Sequence, residues 1–241
     1  MAPPPNYHEA ATQLHEYIMS QDPAQYHNNP QALLDAIEHF DHNIERIMVY
    51  PQAKLNATEK VLAKMDSPPK VLVELGGYVG MSAVAWGAML RQLNSKHLIN
   101  AGKEAKPKVF SCELEPSFCT IINDFVSTTG LSSTVSVLQG QSGDSLQKLK
   151  ETQGIEHIDV LFIDHWEKFY LPDLRLCEEL GLLKKGSVIV ADNVDRSGAP
   201  EYRKYIESGG EGGWKYKFER LDVDVEDGPR LVHVAWIEGT P

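Results

Sequence analysis

The stretch Val71-Leu72-Val73-Glu74-Leu75-Gly76-Gly77-Tyr78-Val79-Gly80 decides the fold. Its first five residues are apolar except Glu74, the pattern of a strand buried on both faces. They run into a turn that holds Gly76, Gly77 and Gly80. Helical spacing follows over 81–93, so this stretch reads as a strand, a glycine turn and a helix. The same alternation recurs downstream. Strands are predicted at 109–113, 135–138, 158–164 and 187–192, each followed by a helix, at 116–129, 143–151, 168–180 and 200–208. Five strand-then-helix units predict an α/β fold built on a doubly wound, mainly parallel sheet covered on both faces. The end differs. Strands at 214–223 and 230–238 are joined only by Glu226-Asp227-Gly228-Pro229 and their neighbours, a link short enough for an antiparallel hairpin.

Upstream of the deciding stretch, residues 7–66 read as helical. Leu33, Leu34, Ile37, Phe40, Ile44 and Ile47 form one apolar stripe, and Pro30 suits a helix's first turn. A third helix is expected over 52–65, stopped by Ser67-Pro68-Pro69. Residues 1–6 read as a loose Pro-rich lead and 94–107 as a polar surface loop. The chain is expected to form one domain, with 1–66 a helical segment and 67–241 the α/β core.

The formal net charge of −11 repels nucleic-acid phosphates and anionic lipids, so neither is an expected partner. No run approaches the roughly 18 apolar residues of a membrane span. The N-terminus has no basic region leading into an apolar stretch, so no signal peptide is expected and the expected location is cytoplasmic. The sequence carries no signal for an oligomeric state. Cys112, Cys119 and Cys177 lack metal-ligand spacing and read as buried small hydrophobes, neither disulfide-bonded nor zinc-binding.

Ligands of doubly wound sheets bind beyond the carboxyl ends of the strands. The first strand leads into a GGxxG turn, which differs from the GxGxxG of nicotinamide-binding folds, and there is no GxxxxGK[ST] phosphate loop. The second strand ends at Glu113, which reads either as a solvated strand end or as an acceptor for both hydroxyls of a ribose. Together with the glycine turn it points to an adenosine-type ligand. The fourth strand ends in Asp164-His165-Trp166 and the fifth in Asp192-Asn193. Neighbouring strand ends lie about 5 Å apart. Singly, either aspartate reads as a helix cap. Together with Asn193 they form an all-oxygen set suited to a hard cation, Mg²⁺ first.

With these residues in view, the chain resembles the catechol O-methyltransferase family. The resemblance is carried from about residue 30 to 228 by E-L-G-G-Y-V-G-x-S, C-E-L-E, D-H-W-x-x-x-Y-L-P-D and A-D-N-V. It implies a Rossmann-like sheet of seven strands, S-adenosylmethionine and Mg²⁺ as cofactors, and a small catechol or related vicinal-diol phenol as substrate. By position, Asp164, Asp192 and Asn193 would bind the metal and Glu113 the ribose hydroxyls. Leu114, His165 and Trp166 would surround the adenine, with Asp164 beside them. Glu74, Gly76, Tyr78 and Ser82 would line the methionine and ribose side, and Ser142 would sit near the adenine or carboxylate pocket.

The chain departs from the family pattern in four places. Glu167, followed by Lys168, stands where the family has the lysine read as general base. The base is therefore Lys168, Glu167 or no side chain at all. The covering stretch Met48–Leu55 lacks the family's two glycines, and Arg46 replaces an upstream tryptophan. Gly143 stands where the family has glutamine. The family's late glutamate has candidates in Glu219, Asp222 and Asp224. These departures keep three other readings open: a relative that binds cofactor without catalysis, a methyltransferase for a different vicinal-diol phenolic and, least supported without GxGxxG, a nicotinamide-dependent oxidoreductase.

Overall fold

The computed structural model describes residues 5–100, 106–194, 199–226 and 228–241. Its strands are β1 (Val71–Leu75), β2 (Lys108–Glu113), β3 (Val135–Gln139), β4 (Val160–Ile163), β5 (Val188–Ala191), β6 (Lys215–Val225) and β7 (Gly228–Gly239). They form one sheet in the order β3-β2-β1-β4-β5-β7-β6. The first five pair in parallel, and β7 runs antiparallel to both β5 and β6. This is the Rossmann-like doubly wound sheet with an antiparallel terminal hairpin that the sequence predicts.

The chain winds one way from β1 to β2 and β3, then crosses back to lay β4 on β1's other side. Such a reversal opens a crevice beyond the carboxyl ends of the two central strands. Register brings those ends level: Leu75 pairs with Ile163, and Ile163 with Ala191. The next residue on each strand therefore emerges at the same height.

The helices are α1 (Pro5–Met19), α2 (Pro30–Asn43), α3 (Gln52–Leu62), α4 (Met81–Asn100), α5 (Pro116–Thr128), α6 (Ser142–Glu151), α7 (Tyr170–Glu179) and α8 (Pro200–Glu207). Proline begins α2, α5 and α8, where its missing N–H costs nothing. Two apolar clusters, one on each face, sandwich the sheet. One joins α1 to α5 with Trp86, Tyr50 and Phe162 at its centre; the other joins α6, α7 and α8 through Leu146, Tyr170, Leu174 and Tyr202. The three cysteines are buried and free, as their spacing predicts.

Five expectations change. Residues 94–100 continue α4 rather than forming a loop, with Asn94 buried and donating to the Pro69 carbonyl; residues 101–105 lie outside the described residues. The stripe of α2 stops at Phe40, since the helix ends at Asn43; Ile44 is half exposed, while Ile47 is buried from the following segment. The third helix ends at Leu62, and a 3₁₀ turn over Glu167–Phe169 precedes α7. Of the N-terminal lead, 1–4 lie outside the described residues and α1 already begins at Pro5. No helix among the described residues is long and apolar enough to cross a membrane.

Candidate functional site

The level strand ends bring the predicted residues together. Asp164 follows β4 and its N–H donates to the Leu75 carbonyl at 2.9 Å; Asp192 follows β5 and donates to Ile163 at 3.1 Å. Asn193, at φ +56°, turns its side chain back so that Nδ2 donates to Asp164 Oδ1 at 3.2 Å. Asparagine tolerates this left-handed conformation better than most residues. Burial pushes the Asp164 carboxyl well above its ordinary range; the Asp192 charge adds to this and the Lys54 ammonium opposes it. Two mutually repelling carboxylates and an amide, all oxygen donors, fit a hard divalent cation. Among the described residues there is no cluster of three or more His, Cys, Asp or Glu able to hold a metal, so a metal here depends on the amide as third ligand.

Lys54 is the residue that the sequence reading passed over. It sits in the first turn of α3, and its Nζ donates to both oxygens of Asp192, at 2.6 and 2.8 Å, with lysine and aspartate both buried. The signal is present in the sequence. Lys54, Leu55, Thr58, Val61 and Leu62 form the buried face of α3, so the lysine occupies an apolar-stripe position that a solvated lysine would avoid.

The glycine turn forms the opposite wall. Gly76 has φ +100°, and a Cβ on it would come within 2.5 Å of the Asp164 carbonyl oxygen. The turn therefore packs directly on the end of β4. Glu113 closes it: its carboxylate accepts from the N–H of Tyr78 and the N–H of Glu115, both at 2.8 Å. Tyr78, at φ +44°, donates its hydroxyl to the Tyr7 carbonyl, and thus α1 packs over the turn. Leu114 is largely exposed, and Ser142 begins α6.

Beneath the turn, Glu74 is fully buried. It accepts hydrogen bonds from Trp86 Nε1 at 3.1 Å and from Ser111 Oγ, with Ser82 as a further donor. Burial raises its carboxyl to about 7 against these donors. An acid raised from 4.5 to about 7 on folding stabilises the fold below the unfolded value, and that contribution is lost as pH rises through 7. Glu74→Gln is therefore expected to gain about 3 kcal/mol relative to the wild-type chain between pH 4.5 and 7.5, read by urea unfolding across that range. Parallel pH profiles for the two proteins would show that Glu74 ionises normally.

His165 and Trp166 lead away from Asp164. His165 Nε2 lies 2.6 Å from Asp173 Oδ2 and its ring stacks on Tyr170. This makes Asp173, of the YLPD run, a positioning partner that the sequence reading left without a role. Trp166 stacks on Phe169, and the Lys168 ammonium lies 4.8 Å from each ring centroid. Glu167 sits close enough to Asp164 for its charge to help raise that carboxyl. Glu219, Asp222 and Asp224 all lie on β6. None of the described contacts links them to the Asp164–Asp192 group.

Comparison with known proteins agrees with the fold. Residues 73–194 match the family profile of a methyltransferase domain. The chain is 34% identical over 178 residues to catechol O-methyltransferase B of Danio rerio, covering 74% of this chain and 62% of that protein. It is 36% identical over 162 residues to catechol O-methyltransferase of Sus scrofa, covering 67% of this chain and 79% of that protein. The matched part thus spans about three fifths of the longer relatives. Among solved structures, an O-methyltransferase of Bacillus cereus in complex with SAH superposes with a TM-score of 0.58 at 16% identity, covering 95% of this chain and 97% of that one. The Podospora anserina methyltransferase PaMTH1, also SAH-bound, gives 0.56 at 16%, covering 97% and 88%. At those identities the two structures speak for the fold alone. The domain match and the relatives at 33–36% identity place this chain in the catechol O-methyltransferase family of class I methyltransferases.

Proposed function

We propose that the protein is an S-adenosylmethionine- and Mg²⁺-dependent O-methyltransferase acting on a catechol or related vicinal-diol phenol. The observation that carries this reading is the meeting of Asp164, Asp192 and Asn193 at level strand ends, beside the glycine turn closed by Glu113. In this reading Gly76, Tyr78 and Ser82 line the methionine and ribose side, Glu74 supports them from its buried place beneath the turn, and Glu113 holds the ribose. Leu114, Ser142, His165 and Trp166 surround the adenine. S-adenosylmethionine supplies an electrophilic methyl on a sulfonium. Mg²⁺, held by the two aspartates and Asn193, supplies Lewis acidity that favours the ionised phenol. The chain's own contribution is to fix both reactants in line, which accounts for most of the acceleration. The stacked Trp166–Phe169 pair and the part-buried His165–Asp173 pair brace that wall.

Proton acceptance falls to the Glu167–Lys168 pair. Both line a surface cavity of about 290 Å³ together with Ala199, Pro200 and Tyr202. The Lys168 ammonium is held over the Trp166 and Phe169 rings, whereas Glu167 is close enough to Asp164 for its charge to help raise that carboxyl. Glu167→Gln is expected to lower kcat by about 10²–10⁴-fold, the usual worth of a placed base. Lys168→Met should lower it by less than about tenfold, since only a cation–π contact is lost. The reverse pattern in single-turnover assays would assign the base to Lys168. Full activity of both variants would leave the proton to solvent.

The whole reading is tested by calorimetric titration with S-adenosylmethionine, followed by methyl-transfer assays on a catechol panel with and without Mg²⁺. Binding with metal-dependent turnover is the expected result. A second reading, a cofactor-binding relative without catalysis, is favoured by one observation: Glu167 stands at the family lysine's position while Lys168 is drawn onto Trp166. Binding without turnover on any diol would establish it.

A further inference from the structure

The acidic pair is already served by a cation that belongs to the chain. Lys54 is only 4% exposed, and its ammonium donates to both oxygens of Asp192. The Tyr50 ring, 5.4 Å from Nζ, flanks the same ammonium, and Tyr50 is itself buried and pinned by a hydrogen bond between its hydroxyl and Thr58. The lysine is thus held by packing. With both carboxylates ionised, as metal binding requires, Asp164, Asp192 and Lys54 sum to −1, against −2 for the carboxylates alone.

Resting on the metal reading of Asp164, Asp192 and Asn193, we propose that Lys54 is a resident counter-cation that competes with the divalent metal for Asp192 and so sets the site's metal affinity. A divalent ion entering between the strand ends has to displace the ammonium from at least one Asp192 oxygen. It also does so against repulsion from a like charge in a poorly hydrated place, where screening by salt is weak. Without metal, the same ammonium keeps Asp192 from standing as an uncompensated buried charge, which preserves the site's shape between loadings. The role is one of positioning and tuning, exerted through Asp192.

The test uses Mn²⁺ alone as probe, with the full chain and neither substrate nor S-adenosylmethionine, following free Mn²⁺ by electron paramagnetic resonance. Lys54→Met is expected to bind Mn²⁺ at least tenfold more tightly than the wild-type chain. Lys54→Arg, which keeps the charge, should stay within about threefold of the wild type. Circular dichroism confirms the fold of each variant, and Lys54→Gln, which keeps a donor toward Asp192 without the charge, replaces the methionine variant if that one unfolds. Binding by the wild type with equal or weaker binding by the uncharged variants overturns the Lys54 assignment and leaves the metal site standing. Absence of Mn²⁺ binding in every variant overturns the metal site itself, and the competition with it.

Discussion

Asp192→Asn is expected to lower the stability of the fold by about 3–5 kcal/mol and to reduce methyl transfer by about a thousandfold. The stability loss comes from Lys54. Its ammonium is buried and has both Asp192 oxygens as acceptors. The asparagine offers one oxygen and no charge, leaving a buried cation with no carboxylate in contact, the situation that costs most when one partner of such a pair is removed. The backbone around the site should hold, because Tyr170 donates its hydroxyl to the Asp192 carbonyl whatever the side chain. On the proposed reading, the loss of turnover follows from removing a charged oxygen ligand of the metal, worth several kcal/mol in the transition state. The double variant Lys54→Met/Asp192→Leu separates the two effects. With both charges gone it should recover to within about 2 kcal/mol of the wild type, since apolar replacement of a whole buried pair is often neutral, while turnover stays lost. Urea unfolding at constant slope measures the first effect and single-turnover methyl transfer the second. A fully stable Asp192→Asn would mean that the Lys54–Asp192 pair contributes nothing to the fold.

That pair also marks where the sequence became hard to read. The strands were legible because burial on both faces writes itself as continuous apolar runs, VLVEL and VIVA, ended by glycine or aspartate. The meeting of Asp164 and Asp192 was legible for the same reason: two parallel strands in register end level, so the residues just past them must be neighbours. Lys54 comes from a helix more than a hundred residues away in sequence from Asp192. Its approach depends on how α3 packs across the sheet, which no local pattern encodes. Its place in the apolar stripe was a usable clue, but a lysine there reads equally as a snorkelling side chain. Residues 94–100 read as loop because the Asn, Lys, Gly and Pro of 94–107 suggest one. Tertiary contact overrode that propensity: α4 extends to bury Asn94 against the Pro69 carbonyl. The pairing of His165 with Asp173 was invisible for a related reason, since it requires the 3₁₀ turn at Glu167–Phe169 to swing α7 back toward β4.

Gly76→Ala is expected to cost about 3 kcal/mol or more and to abolish S-adenosylmethionine binding, and its comparison with Gly154→Ala shows why. Both glycines have positive φ, +100° and +65°, so each alanine pays for a conformation that L-residues avoid, about 1 kcal/mol or somewhat more. At Gly154 nothing lies within 4 Å of the added Cβ, so the cost stops there. At Gly76 the Cβ would stand 2.5 Å from the Asp164 carbonyl oxygen and 2.8 Å from its carbonyl carbon. Backbone atoms cannot swing aside as a side chain does. Relief requires moving either the turn or the end of β4, and overpacking of this kind adds about 1–3 kcal/mol. Either movement damages the proposed site. Shifting the turn withdraws the Tyr78 N–H from Glu113, one of the two backbone bonds that hold that carboxylate in place. Shifting the end of β4 carries Asp164 out of register with Asp192. Thermal unfolding of the two alanine variants, with calorimetry of cofactor binding, reads both effects. Equal stability losses, or cofactor binding retained by Gly76→Ala, would show that the close approach of turn and strand is not what the site depends on.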